Sequence, residues 1–261
     1  MIFLKHLEYH QFILQKNLKY YNNLFFLLFC LLANGLLAQY PNVKERIINL
    51  PNFDKRPIHY GYFLGINQYD FKFDYVDSYY KDMMYKDIAV IQKKGFNVGL
   101  IGDLRINDYF NVRFEPGLYY NLRELVYPEY PQFIKESDRN REVKSTYIHL
   151  PIYIKINAKR INNFRPFLLA GFSSDFNLSS NAKNSDDNAS NVFRTSAKNL
   201  NYELGLGFEF YLYYFKFSPS FRGIFSFQNE LIPDEVGQAS PWTGNIINMF
   251  SRGVSLIITF E

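Results

Sequence analysis

Apolar and polar residues alternate one by one through two adjacent stretches, residues 95–105 and 110–123. Phe96, Val98, Leu100 and Leu104, then Val112, Phe114, Leu118, Tyr120 and Leu122, share one parity. Asn97, Asp103 and Arg105, then Asn111, Arg113, Glu115, Asn121 and Arg123, share the other. A period of two is the strand period, and a helix would scatter these charges around its circumference. The pattern predicts a β hairpin with one apolar face. In a soluble sandwich that face turns inward, whereas in a membrane barrel it meets lipid and the polar face fills the interior.

The same alternation recurs along the chain. Strand-like runs fall at 58–73, 95–105, 110–123, 146–158, 164–178, 200–212, 215–227 and 248–261, which makes eight. The sixth is the cleanest, with Leu200, Tyr202, Leu204, Leu206, Phe208, Phe210 and Leu212 set against Asn201, Glu203, Gly205, Gly207, Glu209 and Tyr211. In the fourth, Pro151 occupies the inner parity and forfeits a ladder bond, so a bulge is expected there. The eighth run carries Phe260 next to the end, an aromatic position that resembles the C-terminal signal of bacterial outer-membrane proteins.

The connections choose between sandwich and barrel. Residues 106–109, 159–163 and 213–214 are short, whereas 74–94, 125–144, 179–199 and 228–247 are each about twenty residues and mostly polar. Short and long alternate throughout, as in barrels with short periplasmic turns and long extracellular loops. The expected fold is therefore all-β, an eight-stranded antiparallel up-and-down transmembrane β-barrel. Both mature termini are expected on the periplasmic side of a bacterial outer membrane, with lipid around the wall.

Composition agrees with this reading. Mean hydropathy is −0.22 and hydrophobic content 48%, because apolar and polar positions are interleaved. Aromatic content is 19%, with 27 Phe and 22 Tyr against one Trp, the residue types of interfacial girdles. Residues 1–38 carry Lys5, Lys16 and Lys19, then an apolar run, and end on Ala38, which reads as a secretory signal peptide. Its removal takes three Lys and one Glu, leaving 26 basic against 24 acidic residues and no basic stripe for nucleic acid. Cys30, the single cysteine, goes with it, so no thiol metal site is expected. Residues 39–57 hold Pro41, Pro51 and Pro57 and are expected to be an extended periplasmic segment, with residues 58–261 forming the barrel.

An eight-stranded barrel is filled by its own side chains. By parity the inward charges are Asp103, Arg105, Arg113, Glu115, Arg123, Lys155, Glu203, Glu209, Lys216 and Arg222, and away from bulk water they must pair. A structural salt-bridge network is the expected result. No catalytic residue, cofactor, metal site or small-molecule substrate is indicated. Of the histidines, only His59 and His149 follow the leader, and His149 is placed near the outer rim, where it could activate a loop hydroxyl.

Residues 49–65 read Asn-Leu-Pro-Asn-Phe-Asp-Lys-Arg-Pro-Ile-His-Tyr-Gly-Tyr-Phe-Leu-Gly. Together with Gly117-Leu118-Tyr119-Tyr120, Ile148-His149-Leu150-Pro151, and residues 202–211 followed by Phe215-Lys216-Phe217-Ser218-Pro219, this resembles the PorT family, called SprT in gliding bacteria. The resemblance covers nearly all of the mature chain, and the segment before the first strand discriminates it from the wider class of small porin-like barrels of Bacteroidetes. It implies a non-enzymatic outer-membrane component of type IX protein secretion that also supports gliding motility. Its partners would be other secretion components. Because a packed barrel cannot pass a folded protein, an accessory or assembly role beside a larger translocon is expected. Asn49, Leu50, Pro51, Phe53, Asp54 and Arg56 form the expected partner surface. Two alternatives stand beside it: a surface adhesion or binding barrel working through its loops, and a lipid-modifying barrel enzyme using His149.

Overall fold

Nine strand segments run antiparallel around a closed ring in the computed structural model, which describes residues 47–76, 87–129, 133 and 135–261. They are β1 (Ile58–Tyr75), β2 (Ala89–Arg105), β3 (Phe110–Phe114), β4 (Gly117–Val126), β5 (Asn140–Asn157), β6 (Phe164–Asn177), β7 (Lys198–Tyr211), β8 (Lys216–Ser226) and β9 (Ile246–Phe260). Pairing of β1 with both β2 and β9 closes the ring. The expected leader, residues 1–38, and the first part of the expected segment 39–57 lie outside the described residues.

The nine segments make eight staves. β3 and β4 keep one register against β2, with Gly102↔Phe114 and Gly99↔Gly117. They also keep one register against β5, with Phe114↔Ile152 and Gly117↔His149. What interrupts them is Pro116, which has no N–H to give and falls beside Pro151 on β5. The two prolines sit at the same break, and the ladder is held across it by Leu100 N–H to Pro116 O, 3.0 Å, and Glu115 N–H to Pro151 O, 3.4 Å. No bulge forms at Pro151, which stays in register with Ser173. Register shifts lie instead in β2, between Lys93 and Phe96, and in β1 against β9, between Asp74 and Tyr75.

Outward side chains form an apolar belt, for example Ile58, Tyr60, Tyr62, Leu64 and Ile66 on β1 and Leu200 to Phe210 on β7. Above the belt the strands continue and the sense of the alternation inverts. On β1 the outward residues become Asp70, Lys72 and Asp74 while Tyr69 and Phe71 turn in; on β5 Asn140, Glu142 and Lys144 point out while Val143 is buried. Six strands run beyond the sequence reading at this end. β1 ends at Tyr75, β2 starts at Ala89, β4 ends at Val126, β5 starts at Asn140, β7 at Lys198 and β9 at Ile246, so the long connections shrink to 76–88, 127–139, 178–197 and 227–245. An inward apolar cluster fills this end: Phe71, Ile88, Leu125, Tyr127, Val143, Phe193, Leu231, Ile246 and Met249, with Phe133 and Trp242 packed against it.

Candidate functional site

The inward faces of β2 to β9 converge on a buried ionic cluster toward the short-turn end. Arg113 lies at its centre, donating from Nε to Asp103 Oδ2 at 2.6 Å, from Nη2 to Glu261 Oε1 at 2.6 Å and from Nη1 to Glu115 Oε1 at 3.3 Å. Arg222 also clasps Glu115, with Nη2 to Oε1 at 3.2 Å. Lys216 Nζ stands 2.9 Å from both Glu209 Oε1 and Glu261 Oε2. Lys155 and Arg165 both pair with Glu209. Burying so many ions is costly unless every charge meets a partner, and here each guanidinium or ammonium touches at least one carboxylate.

Nine of the ten residues expected inside are buried there. Arg105 differs, sitting partly exposed at the rim in a pair with Asp108, because β2 ends on it. Arg123 and Glu203 lie higher, apart from the cluster. Among the described residues Arg123 has no carboxylate in contact; it donates to Ser251 Oγ and Ser145 Oγ, each at 2.8 Å, and its guanidinium lies 3.7 Å from the Phe71 ring centroid. Arg165, Asp175, Glu230 and Glu261 were not expected as interior members. Arg165 and Asp175 sit on the inner parity of β6, where Phe167 and Leu169 dilute the charge signal, and Glu230 reaches in from a loop.

His149 is not at the rim. Because β5 begins at Asn140, it lies well down the strand, fully buried, beside the Tyr119 ring at 4.1 Å between centroids. Its Nδ1 faces Asp175 Oδ1 at 2.5 Å, and its Nε2 is 3.1 Å from Glu203 Oε1. A general base for a hydroxyl nucleophile needs one ring nitrogen free for that hydroxyl. Each nitrogen of His149 faces a carboxylate, and no surface of the ring reaches lipid or solvent.

The segment before β1 crosses the short-turn mouth. A single 3-10 turn, Phe53–Lys55, presents Asp54 to Arg165 Nη2 at 3.1 Å, Arg160 Nη1 at 3.3 Å and the Tyr211 hydroxyl at 2.7 Å. Asn49 Nδ2 donates to Tyr211 O at 2.9 Å, and Asn163 Oδ1 accepts from Asn49 N–H at 2.9 Å. The Phe53 ring stacks on His59 at 4.7 Å and lies under Lys216 Nζ at 5.1 Å. Leu50 takes φ +48°, the backbone kink that turns the chain into the mouth. Of the six residues expected as a partner surface, Asn49, Leu50, Phe53 and Asp54 thus face the barrel and are partly covered, while Pro51 and Arg56 stay exposed. With Asp54 included, six cations (Arg113, Lys155, Arg160, Arg165, Lys216, Arg222) meet five carboxylates (Asp54, Asp103, Glu115, Glu209, Glu261).

Among the described residues no group of three or more His, Cys, Asp or Glu side chains is placed to hold a metal ion. A polar cavity of about 240 Å³ opens at the mouth between Asp54, His59, Arg105, Asp108, Arg160 and Arg165. At the opposite end a cleft of about 600 Å³ separates β5 from residues 179–195.

The family model for an outer membrane protein beta-barrel domain matches residues 38–231. Among solved structures, the chain is similar to outer membrane protein OprG from Pseudomonas aeruginosa, with 13% identity, 78% of this chain and 92% of that chain covered, and a TM-score of 0.40. It is similar to Neisserial surface protein A, at 9% identity, 78% and 98% coverage and TM-score 0.37. It is also similar to Ail, the attachment invasion locus protein of Yersinia pestis, at 14% identity, 77% and 96% coverage and TM-score 0.33. No curated protein sequence matches the chain.

Proposed function

Since the chain belongs to the outer membrane protein beta-barrel domain family, we propose that it acts there as a closed, non-enzymatic barrel, an accessory or assembly component of type IX protein secretion beside a larger translocon. The observation that carries this reading is a lumen packed with buried charged and polar side chains. A ring of buried ion pairs around Arg113 fills it, and Asp54 brings the preceding segment across its mouth. A barrel so filled neither conducts nor presents a catalytic group, so its work falls to its ends and its lipid-facing wall. The resemblance of residues 49–65 to the PorT family supplies the secretion role. In this reading the short-turn end and both mature termini are periplasmic, and residues leaving the mouth contact other secretion components and support gliding. Ile47 and Ile48, exposed just outside the mouth, lead into that contact.

Photo-crosslinking from positions 47 and 48 in living cells tests the proposal. A specific adduct with another secretion component, together with loss of secretion when Ile47 and Ile48 are both changed to Asp in a barrel that still inserts, is the expected result. Normal secretion and gliding from that variant would refute it. The ordered loop end supports a second reading, surface binding through the loops, in which Asn188 Nδ2 donates to Asp234 Oδ1 at 3.0 Å and Arg194 Nη2 to Pro233 O at 2.7 Å. That reading requires replacement of residues 179–199, and not of Ile47 and Ile48, to abolish function.

A further inference from the structure

The barrel wall is not closed over its whole height. Pairing between β5 and β6 stops at Tyr147↔Asn177, with one last bond from Leu178 N–H to Thr146 O at 2.8 Å. β5 continues for six more residues to Asn140, paired with β4 on its other side as far as Val126. In an antiparallel strand alternate residues send both backbone groups to the same side. Thr146 faces β6, so Lys144 and Glu142 face the same way, into the cleft where β6 has turned off. Among the described residues no strand pairs with them there. Two N–H and two C=O groups at strand spacing therefore line one wall of a cleft of about 600 Å³.

The opposite wall comes from Ser179, Asn181, Val192, Phe193 and Thr195. It is braced from behind, by Thr195 N–H to Ser180 O at 2.8 Å and by Arg141 Nη2 to Asn188 O at 3.0 Å, so the gap is a fixed feature of the loop end. One strand residue occupies about 160 Å³, taking its rise, strand spacing and sheet spacing as roughly 3.3, 4.8 and 10 Å. The cleft thus has room for about four. Exposed strand edges are commonly blunted by charge, but here Lys144 Nζ lies 2.8 Å from Glu142 Oε1, and the two charges cancel.

We infer that the β5 edge at Glu142 and Lys144 is a docking site for an extended peptide, which adds as a short strand in the cleft between β5 and residues 179–195. The backbone supplies the affinity, and Val192 favours a β-branched or aromatic side chain on the peptide. This site lies at the end of the barrel opposite the mouth and does not depend on the secretion reading.

Amide exchange on the full chain, folded in lipid nanodiscs, tests it. The probe is a pool of blocked pentapeptides, acetyl-Thr-X-Thr-X-Thr-amide, with X as Val, Ile, Leu, Phe or Tyr. Saturating pool should slow exchange of the Glu142 and Lys144 amides about tenfold or more while leaving the apolar belt unchanged. A pool N-methylated at each X should have no effect. Glu142→Pro, which removes a donor that faces only the cleft, should abolish the slowing, and the N-methylated pool gives the same control should that variant fail to fold. Unchanged exchange at saturation overturns the inference. So does protection of both amides before any peptide is added, or protection that grows with protein concentration alone, which would mean the chain or a second copy already covers the edge.

Discussion

The Tyr211 hydroxyl donates a 2.7 Å hydrogen bond to Asp54 Oδ1, joining the segment before β1 to the end of β7 across 157 positions of sequence. The same carboxylate meets Arg165 and Arg160, so one residue both latches the mouth and ties the lumen cluster to the rim. Asp54→Asn keeps the shape and removes the charge, leaving six cations to four carboxylates. The latch should loosen, and trypsin should cut after Lys55 faster than in the wild type. Tyr211→Phe removes one hydrogen bond to a carboxylate, worth about 1.5–3 kcal/mol, and should give an intermediate rate. Equal cleavage rates in all three proteins would show that Asp54 holds nothing in place.

Arg113 is fully buried against three carboxylates. Arg113→Met fits the space and strands those charges, so it should destabilise the barrel by about 3–5 kcal/mol in a urea titration in lipid vesicles. Combined with Glu261→Gln, the loss should be smaller than the sum of the two single losses, because the pair shares one interaction. Strict additivity would mean that the Arg113–Glu261 contact is not energetically formed.

Phe114 points outward at about the middle height of the apolar belt. Phe114→Arg should cost about 2–4 kcal/mol in the same vesicle titration, the penalty for a cation near the bilayer midplane. Introducing Arg at Asn140, already above the belt and exposed, should cost almost nothing. Equal costs at the two positions would mean that the outward face does not meet lipid where the belt lies.

Glu230, on the loop before β9, is buried and accepts from Ser251 N–H at 3.2 Å and Ser251 Oγ at 2.9 Å. Burial raises its pKa above the ordinary 4.5 more than Arg123 lowers it. A carboxyl whose folded pKa is raised stabilises the fold fully below its unfolded pKa, and that contribution is lost as pH rises through the folded value. Local stability of the loop end, read by amide exchange at Met249 and Ser251, should therefore decline from about pH 4.5 upward. Glu230→Gln should remove this decline. A wild-type loop end that grows more stable over that range would contradict the burial argument.

How much of this was readable in advance follows from where local pattern carries information. The belt was legible because outward aliphatics such as Leu200 to Phe210 alternate with inward polar residues, and the alternating short and long connections set the strand number. The strand ends above the belt were not, because there Val143 and Phe71 turn in while Glu142 and Lys72 turn out, and the alternation changes sense without breaking. His149 lies deeper than the pattern implies for that reason, since residues 140–144 of β5 fall within the connection expected at 125–144. Asp54 carried no local signal at all, since its meaning depends on Arg165 and Tyr211, brought to it only by closure of the ring. Pro151 reads from sequence as a local defect, and only the shared register sets it beside Pro116 at one break between neighbouring staves.

The most direct test of the central claim, that the lumen is sealed by its ion pairs and by the segment across its mouth, is conductance of the purified full chain in planar lipid bilayers. The account predicts insertion with no stepwise current in symmetric salt, and brief openings only when Asp54→Asn and Arg113→Met are combined. Stable, uniform current steps from the wild-type protein would contradict it.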